Sequence, residues 1–427
     1  MASQQPQPHK RPLDGLRIVD LSMFMSGPMA MQICGDGGAE IIKVESVQRI
    51  DGWRGAAARP GEAPWEQSPN FNWVNRSKRG ITLNLTDPRG QELLKRLVAI
   101  SDVVIENYTP RVMDNFGLGY DVLRELKPDL IMMSMPGFGR EVTWRDYVAF
   151  GMSTEQMSGF SHLTGYAGGP PMFTGVNGGD PFVGVMAAIA LLSAVHHHRQ
   201  TGDGQYIDLS QVEACTMYIG DAIANWSLTG YDPLRTGNDH PAMAPHGTYP
   251  CLADEWAGRW IAIACQSDDE WRALAGLIGR SQWAEPASPY AAAAGRLADR
   301  ATLDAAIAEW TRSQGHIELM HRLQAAGVTA GAVMNGPDLL NDPHLAARGS
   351  LIAQDRPEIG VKHYPAQPYR FANAAPPQER RAPLLGEHTN EVLTELLHLS
   401  DDELNALERD DVTGTVPIAA RAQKEPA

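Results

Sequence analysis

Asp180 is the residue of this sequence whose setting most suggests chemistry. It follows Gly178 and Gly179 and precedes Pro181, at the head of the apolar run 182–195. Asp before Pro predicts a helix start, because the carboxylate caps free backbone N–H groups and proline suits the first helical position. A carboxylate held there in its ionised form can act as a nucleophile, and two glycines let a ligand approach closely. The spacing alone leaves both roles open, a structural N-cap and a catalytic group.

The elements that must position Asp180 can be read from the surrounding residues. The 14 residues from Phe182 to Val195 are too few to cross a bilayer and suit a buried helix. We expect this helix to end near Thr201 and Gly202, where glycine can adopt the left-handed conformation. Alternation over residues 206–210 predicts a short strand, and a mostly apolar helix is expected at 215–228.

Upstream of Asp180 the chain alternates between strands and helices. An apolar strand at 16–21, a helix at 29–34 and a strand at 40–44 form a βαβ unit, which requires a parallel sheet. Further strands are predicted at 81–85, 102–105, 130–135 and, beyond a change of composition at 230–233, at 260–264. The sequence therefore predicts an α/β fold.

Composition argues against several classes of protein. The net charge of −15 is not offset by a long basic block, which disfavours a nucleic-acid binder. A chain of 427 residues is long enough for two domains. The 4 cysteines form no CxxC pair and suit reduced thiols in the cytoplasm. Residues 1–11 are polar and lack an apolar signal core, so we interpret them as a flexible tail and expect no membrane association.

The histidines do not predict a metal site. His240 and His246 lack a supporting carboxylate or cysteine pattern, so we interpret them as turn residues. The consecutive residues 196–198 are all histidine, and on a helix they point in three directions and cannot all face one ion. We therefore expect no bound metal.

Motifs spread over nearly the whole chain resemble a single family. They are PLDGLRIVDLS at 12–22, SGPMA at 26–30, GDGGAEIIKVE at 35–45, NRSKRGITLNL at 75–85, ENY at 106–108, GGD at 178–180, TGDGQ at 201–205 and APLLGEHT at 382–389. Together they resemble the class III CoA-transferases, the CaiB/BaiF-like family that includes formyl-CoA and carnitine CoA-transferases.

This resemblance implies roles for individual residues. Asp180 stands where the family has its acyl-accepting nucleophile. The residues that stand in the family's CoA-binding positions are Met25, Ser26, Lys78, Asn107, Tyr108 and Arg111. Two departures matter: Met25 replaces a glutamine of the formyl branch, and Ser46 replaces a phosphate-binding residue. Arg49 and Arg54 are the alternative phosphate contacts, because phosphate recognition requires nearby cations.

The resemblance also implies an architecture. It predicts a Rossmann-like, parallel-sheet large domain over residues 12–230, which binds CoA and contains the catalytic aspartate. A smaller α+β domain is expected over residues 231–345, and residues 346–427 are expected to return to the large domain. Two such chains would thread through one another as an interlocked homodimer.

The implied activity is transfer of CoA from an acyl-CoA donor to an organic acid acceptor, with CoA as substrate and no permanently bound cofactor. Asp180 would form a mixed anhydride and then an aspartyl-CoA thioester, with N–H groups near Gly178 and Gly179 as candidate oxyanion donors. One alternative is a 2-methylacyl-CoA racemase of the same fold, which needs an acid and a base on opposite faces of the α-carbon. The segment 146–156 lacks the histidine of that branch. A non-catalytic CoA binder is a third alternative, which the presence of Asp180 disfavours.

Methionine and phenylalanine side chains predict the character of the acyl pocket. Six such residues lie in two segments that we expect to line the pocket. They are Met23, Phe24 and Met25 in the first segment and Met152, Met157 and Phe160 in the second. Because methionine is flexible and fills irregular space, these residues favour a larger, partly apolar acid over formate or oxalate. Ordinary core packing is the alternative interpretation.

Overall fold

The computed structural model describes residues 10–55, 61–175, 177–254 and 258–422. The tail predicted for residues 1–11 falls outside the described residues, apart from Lys10 and Arg11. The described strands are β1 Arg17–Asp20, β2 Glu40–Glu45, β3 Lys78–Thr82, β4 Val103–Glu106, β5 Ile131–Ser134, β6 Gln205–Asp208, β7 His246–Cys251, β8 Arg259–Ala264, β9 Thr329–Val333, β10 Leu351–Arg356 and β11 Gly360–Pro365.

The helices occupy most of the remaining described chain. They are α1 Ser26–Asp36, α2 Gly52–Gly55, α3 Pro69–Val74, α4 Pro88–Ala99, α5 Arg111–Asn115, α6 Tyr120–Leu126, α7 Gly151–Met157, α8 Phe160–Leu163, α9 Gly179–Thr201, α10 Gln211–Tyr218, α11 Gly220–Thr229, α12 Asp268–Leu277, α13 Ala293–Ala298, α14 Arg300–Thr311, α15 His316–Ala325, α16 Gly336–Asn341, α17 Pro343–Arg348, α18 Thr389–Leu397, α19 Asp401–Arg409 and α20 Ile418–Ala422. Short 3-10 helices span Pro64–Glu66 and Ser281–Ala284.

A six-stranded sheet forms the centre of the larger unit, in the order β3-β2-β1-β4-β5-β6. Every neighbouring pair in it is parallel, which confirms the predicted parallel α/β fold. Both faces are covered, as a parallel sheet requires. Ile18 belongs to the core that includes α1 and α9, and the adjacent Val19 to the core that includes α4 and α18.

The chain divides into two compact units, each described here by itself. The larger contains residues 1–161, 173–231 and 344–427, and the smaller contains residues 162–172 and 232–343. The smaller unit holds the antiparallel sheet β7-β8-β9. Residues 162–172, which the sequence assigned to the large domain, pack with the smaller unit instead. Arg235 explains this, because its guanidinium donates to the carbonyl oxygens of His162 and Gly169.

Buried ionic contacts attach the C-terminal residues to the larger unit. Glu66 forms ion pairs with Arg54 at 2.7 Å and with Arg356 at 2.6 Å, and all three side chains are buried. Glu66 Oε1 also accepts a hydrogen bond from the backbone N–H of Leu385. Removing one partner from a buried pair leaves an uncompensated charge, which typically costs about 3–5 kcal/mol. Glu66 therefore links segments that lie far apart in sequence.

The helix that contains Asp180 starts earlier than predicted. Helix α9 spans 23 residues from Gly179 to Thr201, so Asp180 lies inside its first turn and is not its N-cap. The predicted end is confirmed, since Gly202 adopts a left-handed conformation with φ 79°. By length and composition α9 is the one helix of the described residues that could cross a membrane. Half of its apolar window is buried, and it packs against α1.

Other boundaries also differ from the predicted ones. Strand β3 begins at Lys78, whereas the sequence placed its start at Ile81. The helix predicted at 215–228 is two helices, α10 and α11, separated at Ile219. The strand predicted to reach Ser210 ends at Asp208, because the Ser210 side chain caps α10 by accepting a hydrogen bond from Glu213 N.

Candidate active site

A cavity of about 500 Å³ opens at the carboxyl ends of β1 and β4. These two strands are neighbours in the sheet, and the chain runs outward from them in opposite directions, to β2 on one side and β5 on the other. In open parallel sheets ligands bind at such a switch point, because the loops leaving the two strands diverge there. The topology therefore places the candidate site at this cavity.

The cavity contains most of the residues predicted to act on or bind CoA. Its lining includes Met25, Ser26, Asn107, Tyr108, Arg111 and Asp180. The first two follow β1, and Asn107 and Tyr108 follow β4 directly. Asp180 comes from the first turn of α9. Residues that are 155 positions apart in sequence are therefore brought to one cavity by the parallel sheet and the helix that covers it.

Lys78 is the exception among the predicted residues. It is only 1 % exposed and does not line the cavity. Its Nζ donates to Asp20 Oδ2 and Asn75 Oδ1, both at 2.9 Å, and to Pro28 O at 3.0 Å. Burial lowers the pKa of Lys78 to about 8 in spite of Asp20. With its three N–H donors engaged, Lys78 connects β1, α1 and β3, and this geometry gives no support to a phosphate contact.

Two other arginines supply positive charge at the cavity. Arg49 and Arg111 both line it and are exposed. Among the described residues neither forms an ion pair. Arg54, the other predicted alternative, is buried and bound by Glu45 and Glu66. The available cations therefore lie in the loop after β2, at Arg49, and at the start of α5, at Arg111.

Asn107 stabilises the cavity wall through hydrogen bonds. Its Oδ1 accepts a hydrogen bond from Met23 N and its Nδ2 donates to Met23 O, both at 2.8 Å. The next residue, Phe24, has φ 64°, a conformation that a bulky residue adopts only when its surroundings impose it. Asp51 helps to impose it by accepting a hydrogen bond from Phe24 N at 3.1 Å. Asn107 and Asp51 thus hold the 23–25 loop from both sides.

The apolar part of the wall is smaller than predicted. Met23, Phe24 and Met25 line the cavity, as do residues 147–151. The Phe24 ring meets the Phe150 ring edge to face, with centroids 5.4 Å apart. The predicted lining residues Met152, Met157 and Phe160 do not reach the cavity. The first two are exposed on α7, and Phe160 packs against Tyr218.

Asp180 is a nearly buried carboxylate, 9 % exposed. Burial, and then the negative charge of Glu155, raise its pKa to about 6. No described cation forms an ion pair with it. The backbone of Gly151 lies against the carboxylate, since a Cβ at Gly151 would stand 2.6 Å from Asp180 Oδ2. A side chain with these properties is ionised at neutral pH, yet more basic than an ordinary aspartate.

The backbone N–H groups predicted to stabilise oxyanions are already engaged. Gly178 N donates to Thr174 Oγ1 at 2.9 Å, and Gly179 N donates to Glu155 Oε1 at 3.1 Å. The prediction of oxyanion donors at these two glycines is therefore not supported. Sequence reasoning did not identify Glu155 or Thr174, because no motif connects residues on α7 and in the following loop with the start of α9.

Comparison with known proteins defines the class. Residues 13–389 match CoA-transferase family III. The chain is 35 % identical over 411 residues to the succinyl-CoA–D-citramalate CoA-transferase of Chloroflexus aurantiacus, covering 96 % of this chain and 99 % of that protein. It is 33 % identical to the succinyl-CoA:mesaconate CoA-transferase of Haloarcula marismortui, covering 93 % and 99 %. A crystal structure of a CaiB/BaiF family protein from Brucella suis is similar, with TM-score 0.82, 34 % identity and coverage of 91 % and 100 %.

The chain belongs to CoA-transferase family III, which confirms the family predicted from its motifs. It is a CoA-transferase, an enzyme that acts on CoA thioesters and carboxylic acids. The cavity at the switch point is the candidate site for those substrates, because it contains Asp180, whose pKa is raised to about 6, and two arginines that form no ion pair with the described residues.

Proposed function

We propose that this enzyme transfers CoA from succinyl-CoA to a branched dicarboxylic acid, with Asp180 as the covalent nucleophile. The observation that carries the proposal is the state of Asp180, a carboxylate that faces the cavity, has no ionic partner among the described residues and has its pKa raised to about 6. The donor follows from the two relatives, both named for succinyl-CoA. Their acceptors, citramalate and mesaconate, are methyl-branched dicarboxylic acids.

The reaction proceeds through alternating anhydrides and thioesters. An Asp180 oxygen attacks the thioester carbonyl of the donor, the C–S bond breaks, and CoA thiolate leaves behind a mixed anhydride. The thiolate then attacks the aspartyl carbonyl, which releases succinate and forms an aspartyl-CoA thioester. The acceptor carboxylate attacks that thioester, expels CoA thiolate and forms a second mixed anhydride with Asp180. The thiolate finally attacks the acceptor's acyl carbonyl in this anhydride. Asp180 is regenerated, and splitting one difficult transfer into such steps is the general gain of covalent catalysis.

Arg49 and Arg111 are the phosphate contacts in this proposal. CoA needs cations near its 3′-phosphate and pyrophosphate, and the guanidinium group suits phosphate because it donates two parallel hydrogen bonds. Both arginines line the cavity and are exposed. Met25, Ser26 and Tyr108 form the wall along which the rest of the CoA lies, and Asn107 supports that wall through Met23.

Substitution of Asp180 tests the mechanism. Asp180→Asn and Asp180→Ala are compared with wild type for transfer from succinyl-CoA to citramalate, mesaconate, malate and glutarate. We expect both variants to lose transfer and to keep CoA binding, with the exposed Asp203→Asn as matched control. Hydroxylamine added to the wild type with succinyl-CoA should leave a hydroxamate at residue 180, detectable by peptide mass spectrometry. Transfer by Asp180→Ala at near wild-type rate would refute the mechanism.

The alternative racemase activity receives little support from the cavity. Its described lining residues include no histidine, and Asp180 is the lining carboxylate that could exchange a proton. A racemase would wash deuterium into the α-position of a 2-methylacyl-CoA incubated in D₂O. In this incubation, which contains no carboxylic acid acceptor, we expect no incorporation of deuterium at the α-position.

We also infer that the enzyme works as an interlocked homodimer in the cytoplasm. Helices α10 and α11 expose large apolar side chains, namely Met217, Tyr218, Ile223, Trp226 and Leu228. Several large exposed apolar side chains on two consecutive helices are typical of an interface. The described cysteines are all free and buried, which suits a reducing compartment. Light scattering of the purified protein tests the dimer, and a monomer mass would contradict it.

A further inference from the structure

Glu155 is a second carboxylate beside Asp180 that the proposed reaction does not use. It lies on α7, in the same helix whose first residue, Gly151, contacts the Asp180 carboxylate. Its side chain is completely buried. No described lysine, arginine or histidine forms an ion pair with it. A buried carboxylate without a cation is costly, so its presence next to the nucleophile requires an explanation.

Hydrogen bonds from neutral donors compensate Glu155. Thr174 donates twice, from its hydroxyl to Oε1 at 2.9 Å and from its backbone N–H to Oε2 at 3.1 Å. Gly179 N donates to Oε1 at 3.1 Å. The Thr174 hydroxyl in turn accepts a hydrogen bond from Gly178 N at 2.9 Å. Three hydrogen bonds from Thr174 and Gly179 therefore satisfy the buried carboxylate oxygens of Glu155.

We propose that Glu155 is a positioning residue, which fixes the two glycines before Asp180 and places a like charge beside the Asp180 carboxylate. This inference rests on the proposed role of Asp180 as nucleophile. Glu155 accepts directly from the Gly179 N–H, and the Thr174 hydroxyl connects it with the Gly178 N–H. The backbone that leads into Asp180 is thereby held in one conformation, against α7.

The electrostatic part of the argument concerns the start of α9. Free N–H groups at a helix N-terminus stabilise an anion, and would make Asp180 a weaker base and a weaker nucleophile. Glu155 takes up the Gly179 N–H and adds a like charge instead. The raised pKa of Asp180, with Glu155 as its second cause after burial, agrees with this arrangement.

Few other titratable groups face Asp180. Besides Glu155 on α7, the Cys215 thiol on α10 interacts electrostatically with Asp180; burial raises the pKa of this thiol to about 11, so it is neutral. Helix α1, which packs along α9, has its titratable groups Cys34 and Asp36 in its last turn. Glu155 is therefore the charge that a substitution must remove to test the proposal.

The first experiment measures exchange of labelled succinate into succinyl-CoA as a function of pH. Only one acid takes part, so the acceptor need not be known, and substrate ionisations are the same for all variants. For Glu155→Gln we expect the acid limb of kcat/KM to move about one pH unit lower, because a like charge is gone. We also expect kcat at neutral pH to fall at least about tenfold. The exposed Glu125→Gln on α6 is the matched control and should resemble wild type.

The second experiment uses Thr174, which connects Glu155 with Gly178. Thr174→Val removes the hydroxyl and keeps the charge of Glu155, so kcat should fall at least about tenfold while the acid limb stays in place. Thr174→Ser keeps the hydroxyl and should restore kcat. A residue that only stabilised the fold would not produce this separation of kcat from the pH profile.

Each outcome decides the proposal. An acid limb of Glu155→Gln that stays in place, or moves to higher pH, overturns it. If circular dichroism shows that Glu155→Gln does not fold, the Thr174 pair decides, and a Thr174→Val enzyme with wild-type kcat overturns it. The Asp180→Asn variant, measured in the same assay, distinguishes failure of the proposed function from failure of the proposed role of Glu155. If that variant exchanges succinate, the proposed function fails; if it is inactive and Glu155→Gln behaves as wild type, only the role of Glu155 fails.

Discussion

Gly151→Ala is the substitution whose effect follows most directly from the geometry of the site. A methyl group at this position would stand 2.6 Å from Oδ2, 3.0 Å from Cγ and 3.2 Å from Oδ1 of Asp180. Ordinary contacts begin near 3.4 Å, so either the carboxylate or the start of α7 must move by nearly 1 Å. The ring of Phe150, the residue before Gly151, packs against Phe24 and so holds the start of α7, which leaves the carboxylate as the group that yields.

The expected result is a selective loss of rate. A displacement of about 1 Å costs roughly a hundredfold in rate when it misplaces a reacting group, so kcat should fall by about that factor. Overpacking costs about 1–3 kcal/mol, which an enzyme of this size should survive folded. CoA affinity should not change, because the substitution does not affect Arg49 or Arg111.

Steady-state kinetics of succinate exchange, with calorimetry for CoA, measures both quantities. Gly220→Ala is the matched control, because a Cβ there would meet nothing within 4 Å. A Gly151→Ala enzyme with the kcat of wild type would refute the inference that Asp180 acts from its observed position. Equal loss in Gly220→Ala would show that the effect is not specific to the site.

Three further results are expected. Arg49→Ala and Arg111→Ala should each weaken CoA binding about tenfold or more by calorimetry, since a charge-assisted contact is worth about 1.5–3 kcal/mol. In contrast, Lys78→Met should lower thermal stability without changing CoA affinity. The pKa of Asp180 in the folded protein, about 6, lies above its value in the unfolded chain, so its ionisation destabilises the fold as pH rises from about 4 to 6. In urea unfolding at pH 7, Asp180→Asn should therefore be more stable than wild type by on the order of 2 kcal/mol. At pH 4 the two proteins should be equally stable. Branched or aryl-substituted acids should exceed formate and oxalate in kcat/KM, and Phe24→Ala should reduce that preference; a clear preference for oxalate would contradict the apolar wall.

Local patterns predicted the sheet well. The strands at 16–21, 40–44 and 102–105 were predicted to within one or two residues, because buried parallel strands are short apolar runs between glycines and charges. The helix end at Gly202 was likewise predicted from the conformational freedom of glycine. Motif resemblance, and not periodicity, assigned the chemistry to Asp180 and the family to the chain.

The neighbours of each functional side chain depended on the tertiary structure. Lys78 stands in a basic motif that looks suited to phosphate, yet it is the first residue of a strand and its amine is enclosed by Asp20, Asn75 and Pro28. Whether a lysine meets solvent or a buried carboxylate depends on which element covers it, and that is set by packing between segments distant in the chain.

The sequence by itself determined the class of fold and the family, and it predicted Asp180 as the nucleophile, because each of these depends on local periodicity or on a continuous motif. Only the tertiary structure decided the environment of Asp180. Glu155 is 25 residues away along the chain and is brought to its side by the packing of α7 on α9. Burial and like charge act through space over a few ångströms, so the basicity of the nucleophile could not be derived until the segments were folded together.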